Sequence, residues 1–169
     1  DESDYPNGLS LLAMFPNLIV TRTFSKAYGL AALRVGYAVS NPVITDILNR
    51  VRQPFNVNSF ALAAATAVLS DTEYLEQSKK VNNAGLQQVE KGLQALGLNY
   101  IPSLGNFICF ELAQEGGVVY QALLEQGVIV RPLANYGMPC HLRVSIGLEY
   151  ENQRFLDALA IVLSSRKKL

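Results

Sequence analysis

The chain has 169 residues, half of them hydrophobic, so it is long enough to form one sizeable core or two small ones. Its 14 basic and 14 acidic side chains cancel, which leaves no charge imbalance of the kind that nucleic acids or anionic membranes select. No apolar run approaches the roughly 20 residues that span a bilayer, and the acidic start 1–6 is unlike a secretory signal. Cys109 and Cys140 are too few and too distant in sequence for a disulfide framework or a zinc site, so we expect reduced thiols in a cytoplasmic protein.

Two short strands and the loop between them are predicted near the start of the chain. Residues 18–23 are rich in β-forming side chains, which predicts a buried strand that brings Ser25 and Lys26 to its carboxyl end. Residues 35–39 predict the second strand. Ligands of open α/β sheets collect at the carboxyl ends of strands, so the loop between these strands suits a binding site.

Three helices follow, each with a recognisable start or end. Asn41 precedes a proline and is a predicted N-cap, and apolar residues recur at helical spacing after it. Ser59 is predicted to cap the alanine-rich run that follows. Ser70 and Glu73 have the spacing of a capping box for a longer helix, which Gly97 is predicted to close.

The remainder of the chain alternates between strands and helices. Strands are predicted over 106–112, 128–131 and 142–146, the second of them ended by a proline, and helices over 118–126 and 151–165. The fold class is therefore α/β.

Several other residues are expected to serve the fold and not the chemistry. Gly29 and Gly36 are predicted to allow close backbone packing. The aromatic residues Phe55, Phe107 and Phe110 are predicted to lie in the core.

The residues around Lys26 indicate a particular chemistry. A lysine amine attacks a carbonyl only when it is neutral, so a lysine in a small, hydroxyl-rich loop is a candidate for binding an aldehyde. Arg34 offers a planar fork of donors to a phosphate, with surface ion pairing as the alternative. Ser25 adds a hydroxyl donor, and Thr23 serves equally well as a donor or as a loop cap. A lysine for an aldehyde and an arginine with hydroxyls for a phosphate together indicate a site for pyridoxal phosphate.

Five sequence blocks, in this order along the chain, resemble the fold-type I aminotransferases, and most closely the histidinol-phosphate aminotransferases: 22–30, 33–37, 53–58, 127–132 and 142–147. The resemblance implies that Lys26 binds the cofactor covalently and moves a proton from the substrate Cα to the cofactor C4′. It also implies that Arg34, Ser25 and Thr23 bind the cofactor phosphate.

A second arginine is predicted to meet the substrate. Arg143 stands within a strand among apolar residues, and an arginine that points into a cleft needs an anion. In the family that the chain resembles, the arginine of this block binds a substrate carboxylate, or the phosphate of histidinol phosphate. Arg131 either shares this work or has a structural role. Asn106 is interpreted as positional, and His141 as a loop residue without a catalytic partner.

The resemblance also implies a domain organisation. Residues 1–58 would be the C-terminal part of a large pyridoxal-phosphate domain, 59–85 connecting helices that hold a boundary between 70 and 85, and 86–169 a small α/β domain. Family members are about twice as long, so the chain is interpreted as a C-terminal portion. The aspartate that pairs with the cofactor ring nitrogen is expected upstream of residue 1, with Asp1 and Asp4 in a variable acidic loop.

The implied activity is transfer of an amino group between histidinol phosphate and 2-oxoglutarate in histidine biosynthesis. The resemblance implies a homodimer that acts on a small-molecule substrate and uses no metal. An aromatic amino acid or a phosphorylated amino acid is the alternative substrate. This portion alone is expected to be an inert folded fragment, because half of the site is contributed elsewhere.

Overall fold

The computed structural model describes residues 6–166, so the expectations for Asp1 and Asp4 lie outside the described part of the chain. The chain divides into two compact units, Asp1–Glu76 (unit 1) and Gln77–Leu169 (unit 2). Helices and strands are mixed in both, and the α/β class is confirmed. Between residues 6 and 166, no helix combines the length and the apolar character needed to cross a membrane.

Unit 1 contains an antiparallel pair of strands, β1 (Val20–Thr23) and β2 (Gly36–Val39). The prediction of a buried strand over 18–23 was wrong in both extent and burial, because only Val20 of β1 is buried. A two-stranded ribbon has few neighbours to cover its faces, so the rest of β1 stays exposed.

Two helices complete most of unit 1. The first, α1 (Pro42–Val51), begins as predicted, since the Asn41 side chain accepts a hydrogen bond from the backbone N–H three residues later at 2.9 Å. The second, α2 (Ser59–Val68), is capped in the same way by Asn58. The prediction that Ser59 is the cap was wrong, because Asn58 has the extended backbone of a cap and Ser59 is already helical.

The longest helix, α3 (Thr72–Ala95), runs from unit 1 into unit 2. Its cap is Asp71, whose carboxylate accepts from the N–H three residues on at 3.0 Å, and not Ser70 as predicted. Its end is confirmed at Gly97, which has a φ of 72° and donates to the carbonyl three residues back. A glycine tolerates this left-handed conformation without a Cβ penalty.

Unit 2 is built on a four-stranded antiparallel sheet in the order β3-β4-β6-β5. Its strands are β3 (Tyr100–Ile101), β4 (Phe107–Glu111), β5 (Arg131–Pro132) and β6 (His141–Ser145). Of these, β3 was not predicted. The strand predicted over 128–131 was wrong in its start, because Val128 donates to a carbonyl of the preceding helix and so belongs to the helix end.

Two further helices, α4 (Gly116–Glu125) and α5 (Glu149–Arg166), pack with α3 against one face of this sheet. Alternate residues of β4 and β6, including Ile108, Phe110 and Leu142, are buried against them. The residues between these alternate positions therefore point to the opposite face of the sheet.

The three aromatic predictions had different outcomes. Phe110 is fully buried and lies 5.8 Å, centroid to centroid, from Phe155, so its core position is confirmed. Phe107 is only half-buried. Phe55 is 97% exposed and has a φ of 55°, so the prediction that it is a core residue was wrong.

Candidate functional site

The loop that carries Lys26 is held by one buried residue. Phe24 follows β1 and is buried; its N–H donates to the Val35 carbonyl at 3.2 Å, and its carbonyl accepts from the Leu30 N–H at 2.9 Å. Its ring lies 5.1 Å from that of Tyr28, centroid to centroid. These contacts close the loop at both ends, and within it the Lys26 side chain is exposed and makes no hydrogen bond or ion pair with the residues that the structure describes.

Two glycines permit this loop, and the predicted role in close backbone packing is confirmed for Gly36. A Cβ on Gly36 would lie 2.6 Å from the carbonyl oxygen of Arg22, so only glycine allows β1 and β2 to approach this closely. Gly29 has a φ of 71°, and its N–H donates to the Lys26 carbonyl at 2.9 Å. The backbone reversal after Lys26 therefore depends on a left-handed residue.

The predicted phosphate ligands lie together beside Lys26. Arg34 Nη1 donates to Ser25 Oγ at 3.3 Å and to the Ala31 carbonyl at 2.7 Å. Thr23 Oγ1 accepts from the Ser25 N–H at 3.0 Å. In this arrangement both hydroxyl oxygens act as acceptors, so their hydrogens are left to donate to an anion.

This set fits the phosphate of pyridoxal phosphate. Two hydroxyls and the remaining guanidinium N–H groups of Arg34 are donors, and phosphate oxygens are acceptors. Arg34 has a left-handed backbone with a φ of 53°, which is uncommon for a residue with a side chain. No group of three or more potential metal ligands lies together within residues 6–166.

The other predicted binding residue, Arg143, belongs to unit 2. It lies in β6 directly opposite Arg131 of β5, so both side chains point to the same face of the sheet. The Arg143 guanidinium lies 4.7 Å from the centroid of the Phe107 ring. Arg131 lies 5.6 Å from the ring centroid of Tyr136 and donates to its hydroxyl at 3.2 Å.

Neither of these arginines forms an ion pair with a carboxylate in the described part of the chain. Like charges directly opposite one another on neighbouring strands are destabilising, and an anion between them reverses that effect. Sequence reasoning had not placed Arg131 opposite Arg143. The alternation of polar and apolar residues in β6 predicts on which face of the sheet Arg143 lies, but nothing in the sequence predicts the register of β5 against β6.

A thiol completes this row of side chains. Cys109 of β4 is directly opposite Arg143 on the other side of β6. Burial raises the pKa of the Cys109 thiol, and the positive charge of Arg143 acts in the opposite direction. Cys109 and Cys140 are both free, and both are partly exposed.

The predictions for Asn106 and His141 had different outcomes. The Asn106 carbonyl accepts a hydrogen bond from the Ile146 N–H at 2.9 Å, which agrees with a positional role. His141 is the first residue of β6, opposite Glu111, so the loop interpretation was wrong. Its Nδ1 is buried without a hydrogen-bond partner among the described residues.

The family model for aminotransferase class I and II matches residues 1–159. The chain belongs to this family. Of the curated relatives, "Histidinol-phosphate aminotransferase 2" of Pseudomonas fluorescens (strain Pf0-1) is 66% identical over 162 residues, which are 96% of this chain and 44% of the relative. The protein of the same name from Pseudomonas aeruginosa is 64% identical over 161 residues, 95% of this chain and 44% of the relative.

Solved structures of histidinol-phosphate aminotransferases have the same fold as this chain. The histidinol-phosphate aminotransferase from Clostridium acetobutylicum matches with a TM-score of 0.90 and 25% identity, over 98% of this chain and 51% of that one. The enzyme from Sinorhizobium meliloti, solved in complex with pyridoxal-5'-phosphate, matches with a TM-score of 0.77 and 29% identity, over 89% of this chain and 42% of that one. The chain thus spans less than half the length of the curated relatives that it matches.

Proposed function

We propose that the whole protein is a pyridoxal-phosphate-dependent aminotransferase. Its reaction converts histidinol phosphate and 2-oxoglutarate to imidazole acetol phosphate and glutamate. The observation that carries the proposal is the contact between Arg34 and Ser25 immediately beside an exposed, unpaired Lys26. The substrate is proposed because the curated relatives that are 64–66% identical are histidinol-phosphate aminotransferases.

Unit 1 holds the cofactor in this proposal. Arg34, Ser25 and Thr23 bind its phosphate, each contact being worth roughly 1.5–3 kcal/mol because the acceptor is charged. When bound, the cofactor supplies an aldehyde and an electron sink. Lys26 Nζ would hold the cofactor at its aldehyde, and when it is free the same Nζ would take the proton from the substrate Cα.

Unit 2 supplies the recognition of the substrate anion. Arg143 donates to the phosphate of histidinol phosphate and to the α-carboxylate of glutamate. Arg131, directly opposite it, adds a second positive charge to the same face of the sheet. A guanidinium held over an aromatic ring keeps its edge N–H groups available for an anion.

The organisation of the protein is part of the proposal. Residues 1–58 belong to the large cofactor-binding domain, 59–85 to the connecting helices and 86–169 to the small domain. The active species is a cytoplasmic homodimer. The 169-residue chain by itself is inactive in this proposal, since it spans only 44% of the length of the relatives that it matches.

Steady-state kinetics of the full-length protein test the proposed reaction. We expect glutamate to form from 2-oxoglutarate with histidinol phosphate as the amine donor, and kcat/KM to be far lower with aromatic or phosphorylated amino acids. A protein that prefers one of those donors would be a related pyridoxal-phosphate enzyme, and the substrate assignment would be wrong. A protein that forms no glutamate with any donor would contradict the aminotransferase assignment.

A labelling experiment tests the cofactor lysine separately. Pyridoxal phosphate is added to the full-length protein, reduced with borohydride, and the modified peptide is mapped by mass spectrometry. Selective labelling of Lys26 is expected. Labelling spread over several lysines would remove the basis of the proposed site.

A further inference from the structure

Asn152, in the first turn of α5, is the one polar side chain that is buried within the described part of the chain, at 3% exposure. Its Oδ1 accepts from the Gly147 N–H at 2.9 Å, and its Nδ2 donates to the Gly147 carbonyl at 3.0 Å. Nδ2 also donates to Gln88 Oε1 at 3.1 Å. The amide therefore binds both backbone groups of one residue, as a neighbouring strand would, and a third bond ties it to α3.

A helical glycine makes this arrangement possible. A Cβ on Gly85 of α3 would lie 2.9 Å from Asn152 Nδ2 and 3.2 Å from the Gly147 carbonyl oxygen, and it would overlap Cγ2 of Ile146. Glycine within a helix costs about 0.5–1 kcal/mol relative to alanine. This cost is explained by the close approach of α3 to the segment after β6, which leaves no space for a Cβ at position 85.

The same segment is tied to the start of β4. The Ile146 N–H donates to the Asn106 carbonyl at 2.9 Å, and Asn82 of α3 donates to the Gly105 carbonyl at 3.0 Å. Phe107 follows directly, and its ring lies under the Arg143 guanidinium. The two segments that flank this arginine–aromatic pair are thus both fixed to α3.

We propose that Asn152 is a positioning residue for Arg143. The Asn152 clamp, which consists of Asn152, Gln88, Gly85 and Gly147, fixes the end of β6 and so holds the guanidinium over the Phe107 ring. The proposal rests on the function proposed for Arg143. Because Lys26 carries the proton transfer, disturbing the clamp changes substrate affinity and leaves the proton-transfer step unchanged.

Asn152→Asp in the full-length protein tests this with almost no change in side-chain volume. It replaces the Nδ2 donor by an acceptor oxygen that faces the Gly147 carbonyl. The new oxygen and the carbonyl are then both acceptors, so neither has a hydrogen-bond donor there. We expect KM for histidinol phosphate to rise about tenfold with kcat unchanged. Asn83→Asp, the same change at an exposed neighbouring position of α3, is the control and leaves KM unaltered.

A double-mutant cycle separates positioning from general destabilisation. In an Arg143→Ala background, Asn152→Asp should raise KM no further, because its effect passes through the missing side chain. An equal rise in both backgrounds would overturn the proposal. If the aspartate variant does not fold, Gln88→Ala removes one partner of the clamp and should produce a smaller rise in the same direction. An unchanged KM in that variant would overturn the proposal too.

A second readout does not depend on the substrate. The rate at which phenylglyoxal modifies Arg143, mapped by mass spectrometry, should increase in Asn152→Asp relative to the other arginines of the same protein. An unchanged rate would overturn the clamp even if the enzyme uses histidinol phosphate. A raised rate in a protein that does not use histidinol phosphate would uphold the clamp and contradict only the proposed substrate.

Discussion

The two units of the chain hold the arginines proposed to bind anions, Arg34 and Arg143, in different ways. Arg34 of unit 1 lies in an exposed loop with a left-handed backbone, and it donates to the Ser25 hydroxyl and the Ala31 carbonyl of the same loop. Arg143 of unit 2 lies within a strand whose opposite face is covered by three helices. The first is fixed by local loop geometry and the second by a packed layer.

The cores of the units differ in the same sense. The buried core of unit 1 within the described residues is small: Val20, Phe24, Val35, Ala61 and Ala65. Its helix α1 has no buried residue, although its apolar side chains recur at helical spacing. Unit 2 has one contiguous core that joins its sheet to α3, α4 and α5. Within the described residues, the buried core of unit 1 is therefore much smaller than that of unit 2.

The largest expected effect tests the proposed division of roles between Lys26 of unit 1 and Arg143 of unit 2. Lys26→Ala in the full-length protein should lower kcat by at least about 10²–10⁴-fold, because it removes the proposed base. Arg143→Ala should instead raise KM for histidinol phosphate, with the absorption spectrum of the bound cofactor unchanged. Lys91→Ala, an exposed lysine of α3, is the control. A Lys26→Ala enzyme with near-normal kcat would contradict the division of roles between the units.

The packing of unit 2 is tested by two substitutions on α5. Leu159 is fully buried, so Leu159→Ala should lower the free energy of unfolding by about 2–5 kcal/mol through lost burial and a residual cavity. Ile161 is 52% exposed on the same helix, and Ile161→Ala should cost about 1 kcal/mol or less. Denaturant titrations of the full-length protein measure both. Equal losses would mean that α5 does not pack on the sheet as described.

Helical glycines give a smaller and more specific effect. Gly85→Ala should destabilise by about 1–3 kcal/mol, because its methyl group would overlap Ile146 and crowd Asn152. Gly117→Ala in α4 meets nothing within 4 Å and should stabilise by about 0.5–1 kcal/mol. Thermal unfolding of the two variants should therefore shift Tm in opposite directions. A stabilised Gly85→Ala protein would mean that α3 does not approach the Gly147 segment so closely.

The loop that carries Lys26 in unit 1 could be predicted from the sequence because its residues are neighbours in the chain. Thr23, Ser25 and Lys26 lie within four positions, and the geometry between them is set by one turn. Helix ends were predictable for the same reason where a glycine was required, as at Gly97. The prediction of an N-cap was wrong where two neighbouring polar residues can each serve as the cap, as Asn58 and Ser59 can, because the sequence alone does not determine the backbone angles.

Unit 2 was less predictable because its site depends on strand register. The placement of Arg131 opposite Arg143 requires the pairing of β5 with β6, and β5 is only two residues long. The hydrogen bonds of the buried Asn152 could not be predicted, because Gln88 is distant from it in sequence and Gly147 lies in an irregular segment. Contacts of this kind arise only once the helices have packed.

The smallest expected effect is that of the Arg143 charge on the pKa of the Cys109 thiol, which lies opposite it. Burial raises the pKa of Cys109, and Arg143 partly offsets the rise by favouring the thiolate. Arg143→Gln removes that offset, so the pKa of Cys109 should rise further and its alkylation by iodoacetamide should require a higher pH. The pH profile of alkylation is measured in a Cys140→Ser background, so that only one of the two thiols reacts. The Arg131→Gln variant removes a charge one strand further away and should shift the profile less. A profile that moved to lower pH in Arg143→Gln would mean that the guanidinium lies away from Cys109, and it would separate Arg143 from the row of side chains that defines this face of the sheet.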